Sequence, residues 1–209
     1  KDLHHIPFGL ITVDGKKLST RSGRIILLDA VLDDAIDMAK KQIAAKNPDL
    51  PNKDEVAKQV GVGAIIFGDL KNERMNSIDF NLEEQLKFEG ETGPYVQYAH
   101  ARAESILRKA ADVTIPTDGA KISDPEAWET VKALADFPDT VVEALKEFEP
   151  SDIAKYAIRL AKSFNKYYAH SKILADDAEK PASLALVKSV STVLKESLRL
   201  LGVQAPDEM

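Results

Sequence analysis

Apolar positions along this chain fall into two regimes, a short β-like opening and then long stretches at helical spacing. Ile6 to Val13 reads as a strand, Asp14-Gly15 as a tight-turn dipeptide, and Arg24 to Leu28 as a second short strand. From Asp29 the period becomes helical: Leu32, Ala35, Ile36, Ala39 and Ile43 recur three and four residues apart, with Asp29 as N-cap and Asn47-Pro48 as the stop. A second helix is expected from about Asp54, carrying Val56, Val60, Ala64 and Phe67 on one face. Gly61 and Gly63 inside it each cost about 1 kcal/mol relative to alanine. Close packing against another element and surplus helix flexibility are equally good accounts of them.

Asn81 and Glu84 make a capping box for a short helix through about Phe88. Residues 89–93 break the chain, and Pro94 suits the first turn of the next helix. There Val96, Ala99, Ala103, Ile106, Leu107 and Ala110 form an apolar face, with Tyr95, Tyr98, Arg102 and Lys109 within an arc of roughly 60° beside it. Two aromatics and an arginine on one flank can stack bases and contact phosphate; they can equally cover the edge of a bundle core. After a polar loop, Asp112 to Ser123, the segment Asp124-Pro125-Glu126 starts a helix whose buried side is read as Trp128, Val131, Leu134 and Ala135. Phe137-Pro138-Asp139 interrupts, and Val141, Val142, Leu145 and Phe148 continue the apolar pattern.

The helix beginning at Ser151-Asp152 sets Ile153, Ala157, Leu160, Ala161, Phe164 and Tyr168 on its apolar face, with a basic stripe of Lys155, Arg159, Lys162 and Lys166 opposite. Such a stripe is also what any solvated amphipathic helix shows. A final helix from about Pro181 presents Leu184, Val187, Leu194, Leu198 and Leu201 and stops at Gly202, suited to a left-handed C-cap. Lys188, Lys195 and Arg199 lie on another of its surfaces and would extend the basic field. The fold class is therefore mainly α, with a small β-containing start.

Composition narrows the chemistry. The 209 residues carry a net charge of −6, so any contact with nucleic acid rests on local cation stripes rather than bulk charge. Cysteine is absent, which excludes disulfides and thiolate metal sites. Four scattered histidines make no convincing zinc site. No apolar run approaches the roughly 20 residues needed to span a bilayer, and a cytoplasmic protein without a membrane partner is expected. The chain opens on Lys1-Asp2-Leu3 without an initiator methionine and reads as a piece of a longer protein.

The candidate chemistry begins at Gly15-Lys16-Lys17-Leu18-Ser19-Thr20-Arg21-Ser22-Gly23, a basic, hydroxyl-bearing loop bounded by glycines that suits phosphate groups. An ordinary charged hairpin loop has the same composition.

His5-Ile6-Pro7-Phe8-Gly9-Leu10 followed by Lys17-Leu18-Ser19-Thr20-Arg21 resembles the second ATP-binding signature of class I aminoacyl-tRNA synthetases, the arginyl enzymes most. Phe88-Glu89-Gly90-Glu91-Thr92-Gly93-Pro94-Tyr95-Val96-Gln97-Tyr98-Ala99-His100-Ala101-Arg102, with Ser105-Ile106-Leu107-Arg108, is similar to the segment entering their helical anticodon-binding domain. The resemblance implies a remnant of a Rossmann-like class I catalytic domain over 1–28, a connecting helical region over 29–90 and an anticodon-binding bundle over 91–209. It implies phosphate contact by Lys17 with Ser19 as its catalytic partner, Lys16 and Arg21 beside them, and ATP and Mg2+ as the parent's cofactors. RNA contact is implied for Tyr95, Tyr98, Arg102, Lys109 and Met209, the last because the family's C-terminal residues fold back toward the anticodon. In Phe164-Asn165-Lys166-Tyr167-Tyr168-Ala169-His170 a tyrosine pair is implied near the anticodon; with Tyr168 assigned to the core, Tyr167 is the expected exposed contact.

The expected partners are an arginine tRNA, with arginine and ATP taken through the rest of the catalytic domain, and a monomeric state is expected. Thr20 stands where the usual signature has a second lysine, and no His-x-Gly-His motif occurs. The 209 residues are accordingly expected to be inactive alone in aminoacylation. The alternative is a noncatalytic helical RNA-binding or protein-interaction module.

Overall fold

The computed structural model describes residues 3–17, 26–116 and 121–209. Strand β1 (Ile11–Val13) turns through Asp14-Gly15 into β2 (Lys16–Lys17), with Val13 opposite Lys16 and Thr12 opposite Lys17. Both turn residues have positive φ, 52° at Asp14 and 69° at Gly15, as a two-residue hairpin turn of this hand requires. Strand β3 (Ile78–Asp79) adds parallel to β1 on its other edge. The Asp79 carboxylate accepts from the Thr12 hydroxyl at 2.8 Å and the Gly15 N–H at 2.9 Å, and these bonds hold it below the usual carboxylate range.

The expected strand from Ile6 to Val13 narrows to Ile11–Val13, and residues 3–10 take no regular secondary structure. The expected strand over Arg24 to Leu28 is corrected where it is described: residues 26 and 27 are irregular, and helix α1 (Leu28–Lys46) begins one residue before Asp29. Leu27, not Asp29, occupies the N-cap and offers no capping side chain.

Helix α2 (Lys53–Leu70) packs against α1 at close range. A Cβ on Gly61 would lie 2.7 Å from the Ile36 backbone nitrogen and 2.8 Å from the Ala35 carbonyl carbon, so this glycine lets two backbones touch. Close packing, not added flexibility, accounts for it. Val60, Ala64 and Leu86 close a small core with Ala35, Ala39 and Ile43, whereas Phe67 at the far end of α2 belongs to the larger core of the bundle.

Short α3 (Leu82–Gln85) starts at Asn81, whose side chain accepts from the Glu84 N–H at 3.1 Å, and ends three residues before Phe88. Helix α4 (Gly93–Lys109) is central to the bundle and is flanked by α7 (Ser151–His170) and α8 (Lys180–Leu200).

Helix α5 (Pro125–Ala135) starts as expected, with Asp124 accepting from the N–H groups of Glu126 and Ala127. Its buried side differs in part from expectation: Val131 and Leu134 pack half-buried on the core, but Ala127, Thr130 and Ala133 are the fully covered positions, while Trp128 is 58% exposed and Ala135 is also exposed. The small residues let α5 approach α7 closely enough for the hydroxyls of Thr130 and Ser163 to meet at 3.0 Å, and the indole is left outside. Helix α6 (Phe137–Glu147) begins at the expected interruption, since proline is tolerated in a first turn. Val142, Leu145 and Phe148 are exposed rather than buried, because α6 packs on α7 chiefly through Phe137, Val141 and Ala144.

Candidate nucleic-acid interface

Thr92 sets the direction of α4. Its hydroxyl accepts from the Tyr95 N–H at 3.1 Å and donates to the Lys87 carbonyl at 2.6 Å, and Pro94 fits the first turn. One turn apart, Tyr95, Tyr98 and Arg102 then emerge on one flank. The Tyr95 ring is partly buried against the bundle core, and its hydroxyl accepts from the Asn165 side-chain amide at 3.0 Å. The Asn165 carbonyl in turn accepts from the Arg102 guanidinium. That guanidinium lies 4.8 Å from the Tyr98 ring centre and 4.9 Å from that of Tyr168, a cation held between two aromatic rings. Tyr98 and Tyr168 are 39% and 44% exposed, so both rings present surface to a ligand.

The tyrosine pair on α7 corrects the sequence expectation. Tyr167 is only 1% exposed and Tyr168 is the surface residue. Periodicity does not separate them, since they follow Phe164 by three and four residues and both fall near the apolar face. Neighbours do: Tyr167 points beneath α8, where burial pushes its phenol above the ordinary value against a hydrogen bond from Ser183. Tyr168 faces Arg102.

Arg102, Tyr98 and Tyr168 line a cavity of about 350 Å³ whose other walls include Asn47, Leu50 and Met209. Arg108 and Lys109 continue its rim along α4. Met209 arrives there because the tail is tied down step by step. At the end of α8 the Val203 N–H bonds to the Leu198 carbonyl at 2.9 Å and the Gly202 N–H to that of Arg199 at 3.0 Å, with Gly202 at φ 75°. This is a Schellman closure. Gln97, fully buried on α4, donates from its amide to the carbonyls of Gln59 at 3.1 Å and Gln204 at 2.7 Å. A Cβ on Gly63 would lie 2.8 Å from that amide and 3.0 Å from the Val203 side chain, so the second glycine of α2 makes room for the tail.

Asp207 meets buried His100 at 3.2 Å and Lys195 at 3.3 Å. Partial burial alone would raise the Asp207 carboxyl, but these bonds outweigh it and hold the group below its ordinary value. Arg108 holds the Asp207 carbonyl at 3.1 Å and the Glu208 carboxylate at 3.2 Å, and Asn47 reaches the Met209 carbonyl at 3.4 Å.

The basic stripe of α7 is engaged within the fold. Lys155 pairs with Glu73 at 3.1 Å, Arg159 with Asp136 at 2.9 Å, Lys162 with Glu91 at 2.8 Å and Lys166 with Glu126 at 2.9 Å, each acid coming from a different part of the chain. The phosphate-loop candidates lie elsewhere. Lys16 and Lys17 are exposed on β2, beside the C-terminal end of α2, whereas Leu50 and Pro51, just before α2, line the tyrosine cavity. The 18-residue α2, about 27 Å long, runs between the two places. Ser19, Thr20 and Arg21 lie outside the described residues.

Sequence reading missed Tyr168 and Asn47 as cavity walls. For Tyr168 a signal was present: Asn165 and Tyr168 are three apart on α7, the same spacing as Tyr95 and Tyr98 on α4.

Residues 96–209 match the DALR anticodon binding domain, and residues 1–82 match the catalytic domain of class I tRNA synthetases (R). Fold and site thus define part of a class I aminoacyl-tRNA synthetase. The chain is 80% identical over 208 residues to an arginine–tRNA ligase of Levilactobacillus brevis and 70% identical over 208 residues to that of Ligilactobacillus salivarius, covering 100% of this chain and 37% of each relative. It superposes on the arginyl-tRNA synthetase of Thermus thermophilus with a TM-score of 0.88 at 38% identity, covering 99% of this chain and 35% of that one. The Plasmodium falciparum arginyl-tRNA synthetase shares the fold, with a TM-score of 0.80 at 21% identity over 98% of this chain and 35% of that one. The chain belongs to the arginyl-tRNA synthetase family and spans about 37% of the length of the curated relatives it matches.

Proposed function

We propose that this chain binds the anticodon stem-loop of an arginine-accepting tRNA, as part of a cytoplasmic ligase that joins arginine to that tRNA with ATP. The observation that carries this reading is the Arg102 guanidinium between two exposed tyrosine rings, at a cavity closed by the chain's own terminus. Each base stacked on such a ring gains about 1 to 3 kcal/mol. Arg102 gives one nitrogen to Asn165, which fixes its plane and leaves further N–H groups for a base edge or phosphate. Lys109 at the rim adds charge where phosphate would run. Tyr95 and Tyr167 act from behind, Tyr95 through the Asn165 bridge and Tyr167 through packing.

In the ATP-dependent half of the reaction, Lys17 would contact phosphate, supported by Lys16, Ser19 and Arg21. ATP would bring Mg2+ on its phosphates, and the metal would neutralise their charge there. The hairpin turn and the Asp79 bonds hold the start of that loop in place.

The test is binding of the protein to an arginine-accepting tRNA, an anticodon variant of it and an unrelated tRNA at several salt concentrations. The first is expected to bind at least tenfold tighter than the others, with a shallow salt slope set by the few cations at the cavity. Equal affinity for all three at every salt would overturn the reading. For the loop, Lys17→Gln in a full-length ligase carrying this chain is expected to lower arginylation at least tenfold and leave anticodon-hairpin affinity unchanged. Full activity of that variant would remove Lys17 from phosphate contact.

A further inference from the structure

Behind the tyrosine cavity lies a second one, of about 380 Å³, and the two share Tyr98, Asn47 and Met209 as a common wall. Its remaining lining comes mainly from outside the bundle: Ile43 and Lys46 at the end of α1, and Phe88 and Glu89 in the link before α4. The Phe88 ring stands edge-to-face with Tyr98, centroids 6.3 Å apart at 86°, and the Lys46 ammonium lies 4.5 Å from the Phe88 ring centre. Lys46 is exposed, and its ammonium rests on an aromatic ring.

We propose that this second cavity takes a further unstacked nucleobase of the same RNA loop, with Phe88 as its stacking platform and Lys46 as the contact to its phosphate. The inference rests on the anticodon-binding reading and extends it from one base pocket to two, the second built by the connecting helices. Continuity carries it: a strand laid over Tyr98 and Met209 with one base beside Arg102 has its neighbouring nucleotide over Phe88. Charge agrees. Lys46 is the cation of this cavity, while Glu89 is its carboxylate, repelling phosphate from its own side and offering an acceptor to a base amino group. An exposed lysine over a ring gains about 2- to 5-fold, whereas a base stacked on a ring gains about 5- to 150-fold. Displacing the ammonium from Phe88 toward an incoming phosphate is therefore favourable.

The experiment measures affinity of the protein and its variants Phe88→Leu, Lys46→Gln and Tyr168→Ala for anticodon hairpins with one abasic site at each loop position in turn. Leucine keeps apolar packing against the small core around Leu86, and thermal unfolding of each variant checks that it remains folded. Phe88→Leu is expected to weaken binding to the intact hairpin about tenfold and to have no effect on the hairpin abasic at one particular position. Tyr168→Ala is expected to lose its effect at a different position. Lys46→Gln is expected to weaken binding about 2- to 5-fold and to make the salt slope shallower by about 0.7. If Tyr168→Ala shows its positional effect while Phe88→Leu binds every hairpin as the parent protein does, or is weakened equally on all of them, the second pocket is refuted and the first stands. If neither variant discriminates among positions, the anticodon reading itself fails.

Discussion

Tyr167 and Tyr168 are adjacent in sequence and do opposite work. The first fills space beneath α8 and the second lends its ring to Arg102. Tyr167→Ala would leave a cavity in the bundle core, so it is expected to lower stability by about 3 to 5 kcal/mol, read from denaturant unfolding. Tyr168→Ala removes a half-exposed ring and is expected to change stability by less than about 1 kcal/mol while weakening anticodon-hairpin binding about 5- to 150-fold. The opposite outcome, a stable Tyr167→Ala protein that no longer binds, would reverse the roles of the two tyrosines. At this scale the sequence was legible wherever one element defined the environment. Asn81 and Asp124 cap their helices and Pro94 sits in a first turn, as local chemistry requires. The side of α7 on which a tyrosine is covered depends on where α8 and α4 lie, and no local pattern carries that.

Among the elements, α2 joins two cores. Its glycines have separate structural reasons, Gly61 for the backbone of α1 and Gly63 for Gln97 and the tail. Gly61→Ala gains about 1 kcal/mol of helix propensity but places a methyl group 2.7 Å from a backbone nitrogen that cannot rotate away. Overpacking of this kind costs about 1 to 3 kcal/mol. A lowered unfolding temperature for Gly61→Ala is therefore expected, and a raised one would show that α1 yields. Helices α1, α2, α4, α7 and α8 were readable from apolar period because each buries a broad apolar face. Helices α5 and α6 were readable as helices but only partly in orientation, since Val131, Leu134 and Val141 pack on the core whereas Trp128, Val142 and Leu145 do not. In α5 the decisive positions are Ala127, Thr130 and Ala133, which carry little hydrophobic signal and matter because they are small. In α6, Val142 and Leu145 look like core residues by type and remain on the surface.

Over the whole molecule, the two candidate sites sit at opposite ends of α2, a helix about 27 Å long. The turn between β1 and β2 was legible from Asp14-Gly15, and the shared flank of α4 from the spacing of Tyr98 and Arg102. The role of the tail was suggested by resemblance alone. Its path depends on Gln97, His100 and Asn47, which sequence alone does not pair with residues more than 100 positions away. The chain contains three methionines, Met38, Met75 and Met209, and their labelled methyl groups report on three separate places. Reception of the anticodon where Met209 closes the tyrosine cavity is tested most directly by methyl NMR of the protein during titration with an arginine anticodon hairpin. The Met209 signal is expected to shift under the ring current of a bound base while Met75 stays in place, and an anticodon-substituted hairpin at the same concentration is expected to leave Met209 unmoved. A silent Met209 at saturation, or equal shifts with both hairpins, would contradict the account.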